Sequence, residues 1–154
     1  MNLTEWMDLA ADAATEIATG ALGMGTIRWQ HPAPGEMPVD LCGVYIPLLA
    51  EGFSVQLGIL GRREVCTQLA KSLLGMGPEE SLEDDSEVFD AVGEVTNLVA
   101  GGVKVRAAAH TNVKLGLPLA MSGSLLPTAA GSEHGLMQMD DNDVWLVVTG
   151  ASST

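Results

Sequence analysis

Positive charge is scarce in this sequence: seven Lys and Arg stand against twenty Asp and Glu, a formal net charge of −13 at pH 7. Nucleic acids and anionic membrane surfaces both reward clustered basic side chains, so neither is an expected partner. The balance suits a basic or mixed-charge protein partner, and plain solubility equally. The first residues, Met1-Asn2-Leu3-Thr4-Glu5, have neither the basic region nor the apolar run of a secretion signal. The longest uncharged stretch, Leu115 to Ser132, is about the length of a membrane span. It is broken by Pro118, Ser122, Gly123, Ser124, Pro127 and Thr128, and is not read as a transmembrane helix. The expected location is the cytoplasm.

Metal-ligating patterns are missing as well. Cys42 and Cys66 stand alone, without CxxC spacing, in apolar surroundings, which predicts buried free thiols rather than a disulfide. His31, His110 and His134 form no HxxxH or similar pairing. Asp140, Asp141 and Asp143 lack the spacing and glycine of an EF-hand loop and read as a hairpin turn. No metal site and no cofactor of the chain's own is expected.

Apolar side chains are abundant. They make up 47% of 154 residues, enough for a domain of this length to bury about two-thirds of its unfolded surface. Trp6, Trp29 and Trp145 fit as core or dimer-interface anchors. With no internal repeat and no linker, residues 1–154 read as one domain. Asn2 and Glu5 form a capping box for a helix over 3–22, and Gly20, Gly23 and Gly25 end it. Short strands are predicted at 26–30, 39–49 and 53–60, the last two joined by Ala50-Glu51-Gly52. A helix over 62–74 stops at Gly75. A long helix over 86–109, an extended segment at 117–126 and strands at 134–139 and 143–149 follow. Strands grouped in pairs predict an α+β fold, an antiparallel or mixed β-sheet with the long helix and further helices packed on one face.

The long helix has an uncommon outer face. Val88, Ala91, Val92, Val95, Leu98, Val99 and Gly102 recur at three- and four-residue intervals and make one apolar stripe. At about 100° per residue, Asp90, Gly93, Glu94, Asn97, Ala100 and Gly101 fall opposite. A solvated face normally carries long Lys, Glu, Gln or Arg side chains, whereas each glycine here costs about 1 kcal/mol relative to alanine. A bare face lets another surface come close, with Asp90, Glu94 and Asn97 reaching into it. Periodicity alone equally allows Gly93 and Gly101 to admit close packing within the fold.

The pattern Asp90-x-x-x-Glu94-x-x-Asn97 resembles the signature of the CheC/CheX/FliY family of chemotaxis phosphatases. There an Asp or Ser precedes a Glu by four positions and an Asn follows it by three. The segment Gly93 to Gly101 is similar to the catalytic helix of such proteins, and the order of elements agrees along nearly the whole chain. The early helix, with Asp8, Asp12, Thr15, Glu16 and Thr19, has no Glu-x-x-Asn, so the single-site, CheX-like branch fits best. The signature also places a proline a little over twenty residues after the asparagine; Pro118 and Pro127 bracket that position.

The resemblance implies a hydrolase acting on the phospho-aspartate of a response-regulator receiver domain in two-component signalling. Asn97 would position the attacking water, since an amide both donates and accepts without titrating. Glu94 would pair with the receiver's active-site lysine. Asp90, Gly93 and Gly101 would form the docking face, with Asp90 the weaker assignment. Any Mg²⁺ would belong to the receiver, and the chain would be a homodimer joined through its sheet. The alternative is a non-catalytic module that docks on a receiver or flagellar-switch component through the same helix. Seven acids between Glu79 and Asp90 read as a solvated loop that favours the following helix N-terminus, with steering of a basic partner as the functional option.

Overall fold

The computed structural model describes residues 1–122 and 131–152. Helix α1 (Leu3–Thr19) opens on the predicted capping box. The Asn2 side chain accepts from the Glu5 N–H at 2.8 Å, and the Asn2 N–H donates to the Glu5 carboxylate at 3.3 Å. It ends three residues before the expected Leu22, because Gly20 leaves the helical region. Backbone bonds from Leu22 to Ile17 and from Met24 to Ala18 then wrap the end and bury both side chains.

Strand β1 (Ile27–Gln30) is followed by the hairpin of β2 (Cys42–Ala50) and β3 (Phe53–Gly61), whose turn uses Gly52 at φ +76°. Helix α2 (Arg63–Leu74) stops at Gly75 in the left-handed conformation. Helix α3 (Asp85–Ala107) starts one residue before the predicted 86 and ends two before 109. Asp84 caps it, its carboxylate accepting from the Glu87 N–H at 3.2 Å. That bond and, above all, the bond from the Ser86 hydroxyl hold the Asp84 carboxyl below the usual carboxylate range.

The short strand β4 (Lys114–Leu115) lies ahead of the extended segment predicted at 117–126 and has no counterpart in the sequence reading; β5 (Leu119–Ser122) falls within that segment, whose residues 123–126 lie outside the described residues. Both pair with β2, and the break between them falls at Gly116-Leu117-Pro118. Gly116 N–H donates to the Pro47 carbonyl at 2.8 Å, and a Cβ at 116 would lie 2.7 Å from the Pro47 ring. Pro118 has no N–H to continue the ladder. The chain closes with β6 (Ser132–Met139) and β7 (Asn142–Ser152), joined by the predicted acidic turn with Asp140 at φ +54°. Asp140 also accepts from the backbone N–H groups of Gly25 and Thr26, which fixes the start of β1.

Among the described residues, seven strands make one sheet in the order β1-β6-β7-β3-β2-β4, with β5 also on β2, and every pair is antiparallel. Alternation sorts the two faces. Ile46, Leu48, Val55, Leu57, Leu146 and Val148 point under the helices and are buried. Tyr45, Leu60, Leu136, Trp145 and Val147 point to the other face, where Ala33 and Met37 from the β1–β2 connection cover them. The fold is therefore α+β, with the described helices α1, α2 and α3 on one face of an antiparallel sheet.

Helix α3 lies over β2 and β3 and against both other helices. Val88, Val92, Val95, Val99 and Val103 are each at most 4% exposed. Burying that row contributes on the order of 10 kcal/mol, well above the roughly 3 kcal/mol that Gly93, Gly101 and Gly102 cost in helix propensity. Packing, not propensity, holds this helix in place.

Candidate functional site

Where α3 crosses the β2 edge of the sheet, Asp90, Glu94 and Asn97 are exposed and Gly93 and Gly101 are half-buried. Two residues depart from the predicted phase. Ala100 was placed on the outer face, yet it is fully buried in the main core. Leu98 was placed in the stripe and is only half-buried. The cause is α1, which covers a flank of α3 that a helix lying on a sheet alone would leave open. The buried arc is thus rotated toward α1. Thr96 lies within it, fully buried, its hydroxyl donating to the Val92 carbonyl at 2.8 Å.

The three α3 glycines have different surroundings. A Cβ at Gly102 would meet the Ala13 Cβ at 2.9 Å and the Arg106 guanidinium at 3.0 Å, so Gly102 lets α1 approach. Arg106 reaches across the same junction to pair with Glu16. Nothing lies within 4 Å of a Cβ at Gly101, and at Gly93 only the Val44 methyls do, at 3.9 Å, an ordinary contact. The fold requires the absence of a side chain at 102, and at neither 93 nor 101.

Gly93 forms part of a groove of about 280 Å³ lined by Val44, Phe89, Asp90, Gly93, Glu94, Asn97, Pro118 and Ala120. Its far wall is the broken edge strand. Val44 and Ala120 are register partners between β2 and β5, and Pro118 stands at the break. The chain thus brings Asp90, Glu94 and Asn97 together with the nearer of the two bracketing prolines; Pro127 lies outside the described residues. Phe89, Val44 and Ala120 are lining residues the sequence did not single out. The family proline pointed to one wall, but only strand register places Val44 and Ala120.

Two carboxylates and one amide are the polar side chains of this groove, with no hydroxyl, thiol or imidazole among its lining residues. Such a set can hold a cation and orient a water. Among the described residues, no group of three or more His, Cys, Asp and Glu could hold a metal ion. Beneath the helix, Cys42 and Cys66 are buried free thiols with their sulfurs 3.5 Å apart. Burial, with the neighbouring Cys42, pushes the Cys66 thiol up to about 12. The predicted acidic run 79–90 is mostly exposed; Arg63 pairs with Asp85, and the Glu87 carboxylate accepts from the Glu83 N–H at 2.7 Å. No helix among the described residues is long and apolar enough to cross a membrane.

The family model described as "Chemotaxis phosphatase CheX" matches residues 45–139, from within β2 to the end of β6. No curated protein matches the chain. Among solved structures, the chemotaxis protein CheX from Vibrio vulnificus superposes with a TM-score of 0.76 at 16% identity, covering 98% of this chain and 99% of that one. CheX from Borrelia burgdorferi, solved as a complex with CheY, BeF₃ and Mg²⁺, gives a TM-score of 0.77 at 17% identity, covering 96% and 98%. Thermotoga maritima FliY gives 0.65 at 15% identity, covering 96% and 87%. At these identities the likeness is one of fold.

Proposed function

The chain belongs to the chemotaxis phosphatase CheX family, and from that membership we propose that it hydrolyses the phospho-aspartate of a response-regulator receiver domain. The observation that carries the reading is the open groove on α3, where Glu94 and Asn97 stand exposed one turn apart with no element among the described residues over them. A structural role would have buried them against the sheet. The Borrelia relative, solved with CheY, BeF₃ and Mg²⁺, supports a receiver as the partner.

An acyl phosphate is already activated, so catalysis reduces to positioning and charge. The Asn97 amide accepts from and donates to one water, holding it in line with the phosphorus. The water oxygen bonds to phosphorus as the bond to the aspartate oxygen breaks, giving inorganic phosphate and a free carboxylate. Glu94 meets the receiver's active-site lysine and sets the register of docking. Asp90 adds a second anionic contact one turn earlier, while Gly93 and Gly101 leave room for the partner backbone. Charge on the phosphoryl oxygens is met by Mg²⁺ held on the receiver, so this chain supplies no metal. The reaction belongs in the cytoplasm, where receivers are phosphorylated. Homodimerisation through the sheet fits the outer strand β5 and the break before it, where Leu119 and Leu117 are 56% and 86% exposed.

The test is loss of phosphoryl label from a panel of receivers charged with acetyl phosphate. Wild type speeds hydrolysis of one receiver, and Asn97→Ala binds that receiver without doing so. Binding by wild type without hydrolysis of any receiver would leave a non-catalytic docking module in the enzyme's place.

A further inference from the structure

Asp90 and Glu94 form a ridge with a second hollow on its other side. This hollow, of about 530 Å³, lies between the end of α2, the α2–α3 connection and the first half of α3. Leu73, Leu74, Met76, Leu82 and Ala91 make its apolar floor, and Leu74 is 55% exposed. Glu83, Glu87, Asp90 and Glu94 make its rim. Glu87, Asp90 and Glu94 follow three- and four-residue spacing along one edge of α3, spanning about 10 Å at 1.5 Å per residue. No basic side chain stands among its lining residues.

We propose that this hollow is the second half of the docking surface, and that it seats an apolar side chain flanked by Lys or Arg on the receiver face beside the active-site lysine. The inference rests on the receiver-docking reading above and extends it by naming where specificity resides. Two observations carry it. The first is continuity: Asp90 and Glu94 line both hollows, so a partner that reaches Glu94 from the Asn97 side meets the far rim within the next turn. The second is charge: the apolar floor is enclosed by four carboxylates, which attract a cationic collar and disfavour an acidic one. A second copy of this chain, at −13 overall, would bring the same acidic rim against itself. Met76 and the exposed end of α2 supply an adaptable floor of the kind that accepts a side chain from outside.

The grooves separate two tasks. The Asn97 groove does the chemistry, through the amide and carboxylates on its α3 side. The α2–α3 hollow contributes affinity, and so decides which receiver is retained long enough to be hydrolysed.

The experiment uses whichever receiver wild type binds, charged with beryllium fluoride and Mg²⁺ for affinity and with acetyl phosphate for turnover. Leu74→Asp, at an exposed position, weakens binding at least tenfold, and the loss falls in KM rather than kcat. Glu83→Lys, which leaves the apolar floor untouched, weakens binding at least threefold in low salt. Asn97→Ala shows the converse, loss in kcat with binding kept. If wild type binds and hydrolyses, Asn97→Ala is inactive, and both hollow variants bind as wild type does, the hollow is no part of the interface while the phosphatase reading stands. If Leu74→Asp lowers kcat and leaves affinity alone, or changes the self-association seen by light scattering instead of receiver binding, the assigned occupant is wrong. If wild type neither binds nor hydrolyses any receiver, the functional reading fails and takes this one with it.

Discussion

Gly102 of α3 sits against Ala13 of α1 so closely that a Cβ at 102 would come within 2.9 Å of the alanine methyl, whereas a Cβ at Gly101 would meet nothing within 4 Å. Adjacent glycines in one helix therefore answer to different demands. Gly102→Ala gains helix propensity but overpacks the α1–α3 junction, and a net loss of about 1–3 kcal/mol is expected. Gly101→Ala removes unfolded-state freedom without a clash and stabilises by about 0.4–1 kcal/mol. Urea denaturation of the two variants beside wild type checks both signs; two losses of equal size would show that α3 is packed differently from this description.

Gly93→Ala is the companion case on the site side. Its Cβ would rest at 3.9 Å from Val44, so stability holds or rises by up to about 1 kcal/mol. It also narrows the Asn97 groove. Unchanged stability with receiver turnover reduced several-fold is the expected pair of results, read from denaturation and from the hydrolysis assay.

How far all this could be read in advance differs by level. The capping box at Asn2 and Glu5, the β2–β3 and β6–β7 hairpins and the helical phase of Asp90, Glu94 and Asn97 are local patterns, and each is where the sequence indicated. Ala100 and Leu98 were misplaced because periodicity describes a helix on one surface, and α3 has α1 as a second. Strand β4 was not foreseen ahead of the expected 117–126 segment, and its separation from β5 depends on Gly116 packing on the Pro47 ring, a contact between distant residues. The α2–α3 hollow was invisible for the same reason: Leu74, Leu82 and Ala91 become neighbours only once the helices pack.

Glu94→Gln keeps the shape of the ridge and removes its charge. Truncating one partner of a desolvated, hydrogen-bonded charge pair costs about 2 kcal/mol or more, which is about 30-fold in affinity. Titration calorimetry with a beryllofluoride-charged receiver measures it. Equal affinity for the two proteins would remove Glu94 from the docking contact.

Association should also depend on salt. On the proposed docking, the carboxylates from Glu83 to Glu94 would steer a basic partner, and such steering weakens as the Debye length falls from about 30 Å at 0.01 M to about 8 Å at 0.15 M salt. Stopped-flow association rates should drop by about tenfold or more across that range, with dissociation rates changing much less. A flat profile would mean the acids are only solvated surface.

Stability at high pH follows from two buried acids. Burial raises Tyr45 from 10.0 to about 12, and burial with the Cys42 neighbour raises Cys66 from 9.0 to about 12. Both are neutral when protonated, so a raised folded value means that the folded state holds the proton more tightly. Their contribution is complete below pH 9 and is lost as pH climbs from 9 through 12. Denaturation midpoints should therefore stay level to about pH 9 and then fall, and Tyr45→Phe with Cys66→Ala should flatten that descent. An equal alkaline slope in the double variant would assign the effect to other groups.

The central claim is that Asn97 positions the hydrolytic water without being needed for docking. Single-turnover decay of a phosphorylated receiver, at saturating concentrations of wild type or Asn97→Ala, addresses it most directly. A fall of about 100-fold or more in the bound-state rate, the scale expected when a reacting group is misplaced, with affinity within a few-fold of wild type, is the predicted result. A variant that hydrolyses the bound receiver as fast as wild type would contradict it.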